Sequence, residues 1–121
     1  MRCLIVDDQA SFCEAARELL EGQGLTVVGC ATSSAEALRI VRELRPEVAL
    51  VDIGLGPDSG FDLACRLAAD VDGNSPRVIL VSTHDAREFV KLIESSPAVG
   101  FLAKTELSAE RIYQVLEQAD G

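Results

Sequence analysis

The stretch "VALVDIGLGPDSG", residues 48–60, joins a short apolar run, with Asp52 at its edge, to a loop carrying three glycines. Its first half, "VALV", is apolar at every position and begins and ends in β-branched valine. A strand without polar alternation is covered on both faces, which points to a parallel sheet between two layers of helices. The second half admits two readings: a glycine loop that cradles a nucleotide, or a reactive carboxylate, Asp52, at a strand end. The dinucleotide fingerprint wants G-x-G-x-x-G after the first strand. Gly54, Gly56 and Gly60 give G-x-G-x-x-x-G after the third apolar run, and no G-x-x-x-x-G-K-[ST] occurs. The nucleotide reading therefore fails, and Asp52 is left to be explained.

The same alternation extends in both directions. "CLIV" (3–6), "TVVGC" (26–30), "VALV" (48–51), "VILV" (78–81) and "GFLA" (100–103) read as strands. Between and after them lie amphipathic stretches. "SFCEAARELLEGQG" carries Phe12, Ala15, Ala16, Leu19 and Leu20 on one stripe and ends at Gly22 or Gly24. "SSAEALRIVREL" opens with a capping box from Ser33 to Glu36 and buries Ala37, Ile40, Val41 and Leu44. "FDLACRLAA" is the third helix. "AREFVKLIESS" aligns Ala86, Phe89, Val90 and Ile93. "SAERIYQVLEQA", capped by Ser108, turns Ile112, Val115, Leu116 and Ala119 inward. Pro46, Pro76 and Pro97 precede the last three strands. The pattern is (βα) five times over, an α/β fold in a single domain spanning 1–121.

At 121 residues and 48% hydrophobic content the chain can bury roughly two-thirds of its unfolded surface. Its formal net charge of −9 and the lack of any basic run argue against direct contact with nucleic acid or an anionic membrane. Met1 leads straight into "RCLIVDD", too short an apolar run for a signal peptide or a span, so a cytoplasmic location is expected. The four cysteines, Cys3, Cys13, Cys30 and Cys65, form no C-x-x-C pair. They read as small buried hydrophobes in a reducing compartment, not as zinc ligands.

In a parallel sheet all strand carboxyl ends lie on one edge, where ligands bind. The first strand here ends in Asp7-Asp8, the third in Asp52, the fourth in Ser82-Thr83, and the fifth just before Lys104. Taken singly, each has a dull explanation as a turn former, cap or solvated charge. Together they gather three acids, a hydroxyl and an ammonium at one rim. Packed carboxylates repel unless a cation sits among them. Mg2+ takes oxygen ligands and commonly one or two carboxylates plus a phosphate. Asp52 can then act as a nucleophile that forms an aspartyl phosphate. The ammonium of Lys104 and the hydroxyl of Ser82 would face the phosphoryl oxygens. With no Walker lysine to hold ATP, the donor must arrive activated on another molecule.

These residues resemble the receiver domain of bacterial two-component response regulators. The likeness rests on "VDD" (6–8), "LVD" (50–52), Gly60 eight positions beyond Asp52, "VS" (81–82) and "GFLAK" (100–104). The spacing also matches, with thirty residues from Asp52 to Ser82 and fifty-two to Lys104. The resemblance implies a flavodoxin-like, doubly wound fold with strand order 2-1-3-4-5. It implies that Asp52 accepts a phosphoryl group from a sensor histidine kinase. Asp8, Asp52 and the Gly54 carbonyl would bind Mg2+ directly, and Asp7 through water. Ser82 and Lys104 would hold the phosphoryl group, and Ser82 and Phe101 would form the switch. "TVVGCATSSAEAL" and "VGFLAKTELS" resemble receivers that precede a LuxR-type helix-turn-helix. That implies a C-terminal DNA-binding output domain outside this chain, a role in transcription regulation, and a homodimer formed on phosphorylation.

The chain also departs from the family pattern. Thr105 follows Lys104 where many receivers have proline; a cis bond there would cost about 2.5–4 kcal/mol, so a trans bond is expected. Gly56 stands where proline is usual, with Pro57 displaced by one, and His84 lies two past Ser82, where the family varies its dephosphorylation rate. The alternatives are a stand-alone signalling receiver, a small Mg2+-dependent phosphatase, and an interaction module with a vestigial site. The phosphatase reading lacks a second acid at Gly54 and a cap to exclude water. On the receiver reading the chain is a phospho-acceptor and not an enzyme acting on a separate substrate.

Overall fold

A computed structural model of the chain describes residues 1–55, 59–69, 75–83 and 90–120. Strands β1 (Arg2–Val6), β2 (Thr26–Ala31), β3 (Val48–Asp52), β4 (Arg77–Ser82) and β5 (Gly100–Ala103) form one parallel sheet. Their order is β2-β1-β3-β4-β5. The helices are α1 (Ala10–Gly22), α2 (Ser34–Leu44), α3 (Gly60–Ala68), α4 (Val90–Ser95) and α5 (Ala109–Asp120), with a 3-10 turn at Lys104–Glu106. This is the flavodoxin-like α/β architecture.

Successive side chains of a strand point to opposite faces, and here both faces are apolar. Cys3 and Ile5 of β1, Val48 and Leu50 of β3, and Ile79 and Val81 of β4 enter a core shared with α1 and α5, including Cys13, Leu20, Ile112 and Leu116. Leu4, Val6, Ala49, Val51, Val78 and Leu80 enter a second core with Ala37 and Val41 of α2 and Leu63, Ala64 and Leu67 of α3. That two-sided demand is why the central strands carry polar residues only at their ends. Burying each large side chain is worth about 1.5–3 kcal/mol.

The helices begin and end for local reasons. The Ser33 hydroxyl accepts from the Glu36 N–H at 3.2 Å, one arm of the expected capping box. The Ser108 hydroxyl accepts from the Arg111 N–H at 3.1 Å at the start of α5. Gly24, at φ +94°, turns the chain from α1 into β2, a conformation that L side chains rarely adopt.

Several expected helical stripes are corrected. In α1 the buried line is Cys13, Ala16 and Leu20, while Ala15 and Leu19 are exposed. The stripe is rotated because a cysteine, not Phe12, leads it into the core. Leu44 and Ala119 are likewise exposed, each at or near a helix end where the stripe has turned past the sheet, and Val90 of α4 is exposed as well. Ala86 and Phe89, expected on the fourth helix, lie outside the described residues. The cysteines are not all buried either: Cys30 is half-buried, and Cys65 lies on the exposed side of α3.

Candidate functional site

The topology delivers Asp7, Asp8, Asp52, Ser82, Thr83 and Lys104 to the carboxyl edge of the sheet. Asp7 follows β1 directly. Its N–H donates to the Ala31 carbonyl at 2.9 Å, and its Oδ1 accepts from the Gln9 N–H at 2.8 Å. Asp52 is the last residue of β3, and its Oδ1 accepts from the Gly54 N–H at 3.3 Å. Asp7, Asp8 and Asp52 each offer a carboxylate oxygen, and these oxygens lie within 4.8 Å of one another. Asp8 faces solvent, whereas Asp7 and Asp52 are buried.

Lys104 opens the 3-10 turn after β5 and is nearly withdrawn from solvent. Its ammonium lies 2.6 Å from Asp7 Oδ2 and 3.6 Å from Asp52 Oδ2. It also sits over the Phe12 ring, 4.3 Å from the centroid. The peptide bond to Thr105 is trans. Asp8, Gln9, Asp52, Gly54, Ser82, Thr83 and Lys104 line an open cavity of about 210 Å³. Ser82, the last residue of β4, is buried at its wall.

Electrostatics set the character of the cavity. The Asp52 carboxyl is pushed above the ordinary carboxylate range, first by burial and then by the charge of Asp7, with a smaller push from Asp8. The Lys104 ammonium and the Gly54 N–H act in the opposite direction. Three carboxylates face one ammonium, and Asp7 Oδ2 accepts no well-formed hydrogen bond although the ammonium is close. An all-oxygen acidic donor set of this kind fits a hard divalent cation.

A close approach fixes the floor. The α-carbon of Gly60, at the start of α3, lies against the main-chain carbonyl of Asp52, and a Cβ there would overlap that oxygen. The N–H of Gly60 donates to the Ile53 carbonyl, and the N–H of Ile53 to the Val81 carbonyl, both at 3.0 Å.

A profile of the response regulator receiver domain family matches residues 3–117. The chain belongs to this family. A putative transcriptional regulator of Pseudomonas aeruginosa is 33% identical over 110 residues, covering 90% of this chain and 52% of that protein. The DNA-binding response regulator MtrA of Mycobacterium tuberculosis is 38% identical over 96 residues, covering 78% of this chain and 40% of its own length. This receiver domain thus spans about half the length of the curated relatives it matches. Among solved structures, the signal receiver domain of the putative response regulator NarL from Mycobacterium tuberculosis superposes with a TM-score of 0.80 at 32% identity. That match covers 99% of this chain and 96% of the NarL chain.

The structure brings together Asp7, Asp8, Asp52, Gly54, Ser82 and Lys104, as expected from the strand ends. Phe101, on β5, stands apart from them: it is half-buried and packs on the cluster that includes Ile93 of α4 and Ala98. His84, Gly56 and Pro57 lie outside the described residues. Two residues of the receiver's site were not anticipated. Gln9 lends its main-chain N–H to Asp7, and Phe12 lends its ring to Lys104. The helical period marked Phe12 as an inward residue but could not show that a lysine 92 positions away would cross its face.

Proposed function

We propose that this receiver domain is a phospho-acceptor switch, with Asp52 the acceptor and a sensor histidine kinase the donor. The observation that carries this reading is the grouping of three carboxylates within 4.8 Å, with one ammonium 3.6 Å from Asp52. In the reaction an Asp52 oxygen attacks phosphorus, a P–O bond forms, the P–N bond of phosphohistidine breaks, and the imidazole leaves with the electron pair. Lys104 and the Ser82 hydroxyl bind phosphoryl oxygens. Asp8, Asp52 and the Gly54 carbonyl would hold Mg2+ directly and Asp7 would support it through water; bound there, the ion would supply charge neutralisation for the transfer.

On the same reading, Ser82 and Phe101 relay the change to the face formed by α4, β5 and α5. There it alters a homodimer contact or the hold on a C-terminal DNA-binding output domain. The relatives with transcriptional and DNA-binding names support that output. Residues 1–121 act as one domain with no nucleic-acid contact of their own, and the setting is the cytoplasm; among the described residues no helix is long and apolar enough to cross a membrane.

The test is intact mass before and after exposure to a small phosphoryl donor with Mg2+. One added phosphate is expected, mapped to Asp52 and absent from Asp52→Asn. Full, persistent labelling of that variant rejects the assignment.

A further inference from the structure

Two of the four thiols meet behind the acidic pocket. Cys13 is on the buried side of α1, and Cys30 is near the end of the edge strand β2. The Cys30 Sγ approaches the Cys13 carbonyl oxygen at 3.6 Å, and both side chains belong to the core between α1 and the sheet. One is reachable and the other is not: Cys30 is half-buried, while Cys13 is buried. We propose that Cys13 and Cys30 are an oxidisable pair, with Cys30 the entry thiol for a peroxide and Cys13 the thiol that resolves it into a disulfide.

The placement carries the chemistry. With the Cys30 sulfur already against the Cys13 main chain, rotation of both side chains and a shift of α1 against β2 bring the sulfurs to the roughly 2.05 Å of a disulfide. In the first step Cys30 sulfur attacks one peroxide oxygen. An S–O bond forms, the O–O bond breaks, and the departing hydroxide leaves as water with the thiol proton. Cys30 is oxidised to a sulfenic acid and the peroxide is reduced. In the second step Cys13 sulfur attacks Cys30 sulfur, the S–O bond breaks, and the hydroxyl leaves as a second water with the Cys13 proton.

The surroundings favour Cys30 as the entry point. Its thiol is lowered below the ordinary range, first by the neighbouring Cys13 thiol and further by Arg17, against burial and the charges of Glu14 and Glu21. Cys3, by contrast, is pushed up to about 11, chiefly by burial. A reactive thiolate partly open to solvent, beside a second thiol, is the usual setting for reversible oxidation in a reducing compartment. The Cys13 Sγ also lies 3.7 Å from the Asp7 carbonyl as its donor, a hydrogen bond that the disulfide form cannot make.

The oxidation does not rest on the phosphoryl-transfer reading and is tested separately. The full chain is reduced, treated at neutral pH with a few-fold excess of hydrogen peroxide, alkylated and mapped without reductant. Expected are a mass loss of about 2 Da, a Cys13–Cys30 linked peptide, and restoration of both thiols by dithiothreitol. Cys13→Ser should leave Cys30 as a sulfenic acid trapped by dimedone, and Cys30→Ser should leave Cys13 unmodified. The proposal is overturned if both thiols stay alkylatable while exposed Cys65 oxidises. Cross-linking only between chains through Cys65, or wild-type Cys30 passing to sulfinic acid with no linked peptide, overturns it equally. The wild-type map decides the matter even if a serine variant fails to fold.

Discussion

Lys104 and Asp7 are ion-paired at 2.6 Å, with the aspartate wholly out of solvent and the lysine nearly so. Removing one partner of such a pair leaves an uncompensated buried charge. Lys104→Met is expected to lower stability by about 2–4 kcal/mol at neutral pH in metal-free buffer. Part of that loss should return when Mg2+ is added at well above its dissociation constant. Urea denaturation with and without the ion measures both effects. No destabilisation, or no recovery with Mg2+, would contradict the account of the pocket as a cation-seeking acidic cluster.

Asp52 carries a raised pKa because burial and Asp7 disfavour its charge. The folded state therefore binds the Asp52 proton more tightly than the unfolded state does. Its contribution to stability is complete below about pH 4, the unfolded value, and is lost as pH rises through the raised folded value. Asp52→Asn removes the charge, so the variant should be more stable than wild type at pH 7 without metal. The gap should close below about pH 4. Paired thermal melts across this range in EDTA read it out; a gap that widens on acidification would refute the sign.

The contact between Gly60 and the Asp52 carbonyl leaves no room for a methyl group. Gly60→Ala is expected to cost about 2–3 kcal/mol, because the obstructing atom is main chain and cannot swing away. Gly54 provides the control. A Cβ there meets open space, so Gly54→Ala should stay within about 0.5 kcal/mol of wild type. Equal costs at the two positions would dismiss the steric argument.

The Lys104 ammonium rests over the Phe12 ring. Phe12→Leu keeps an apolar side chain and deletes the aromatic face, a loss of about 1 kcal/mol. Its sharper effect should be on chemistry: phosphorylation of Asp52 by a small donor is expected to slow by about 2–10-fold as the ammonium loses its rest position. Phe12→Tyr, which retains the ring, should recover most of the rate. Comparable slowing in both variants would reduce Phe12 to a packing residue.

The fold was legible because its central strands must be apolar on both faces, a demand that leaves continuous runs such as "VILV" in the chain. The site was legible because parallel strands share one end, so reading the residue after each run recovers Asp7, Asp8, Asp52, Ser82 and Lys104 together. Helix rotation was less accessible. Ala15, Leu19, Leu44 and Ala119 obey the helical period but fall where no sheet residue faces them. Contacts between distant elements were not legible at all. Phe12 under Lys104 and Cys13 beside Cys30 arise from how α1 lies across the sheet, and no local pattern encodes that.

The hydrogen bonds from Gly60 to Ile53 and from Ile53 to Val81 clamp the chain just past Asp52, while the Gly60 α-carbon blocks any retreat of its carbonyl. The pocket therefore has an anvil on the β3–α3 side. A group newly attached at Asp52 cannot be absorbed by recoil there, so the adjustment is directed to the opposite wall, at Ser82, Thr83 and Lys104. Amide exchange at Ile53 and Gly60 should stay constant on modification, and the response should be confined to the ends of β4 and β5.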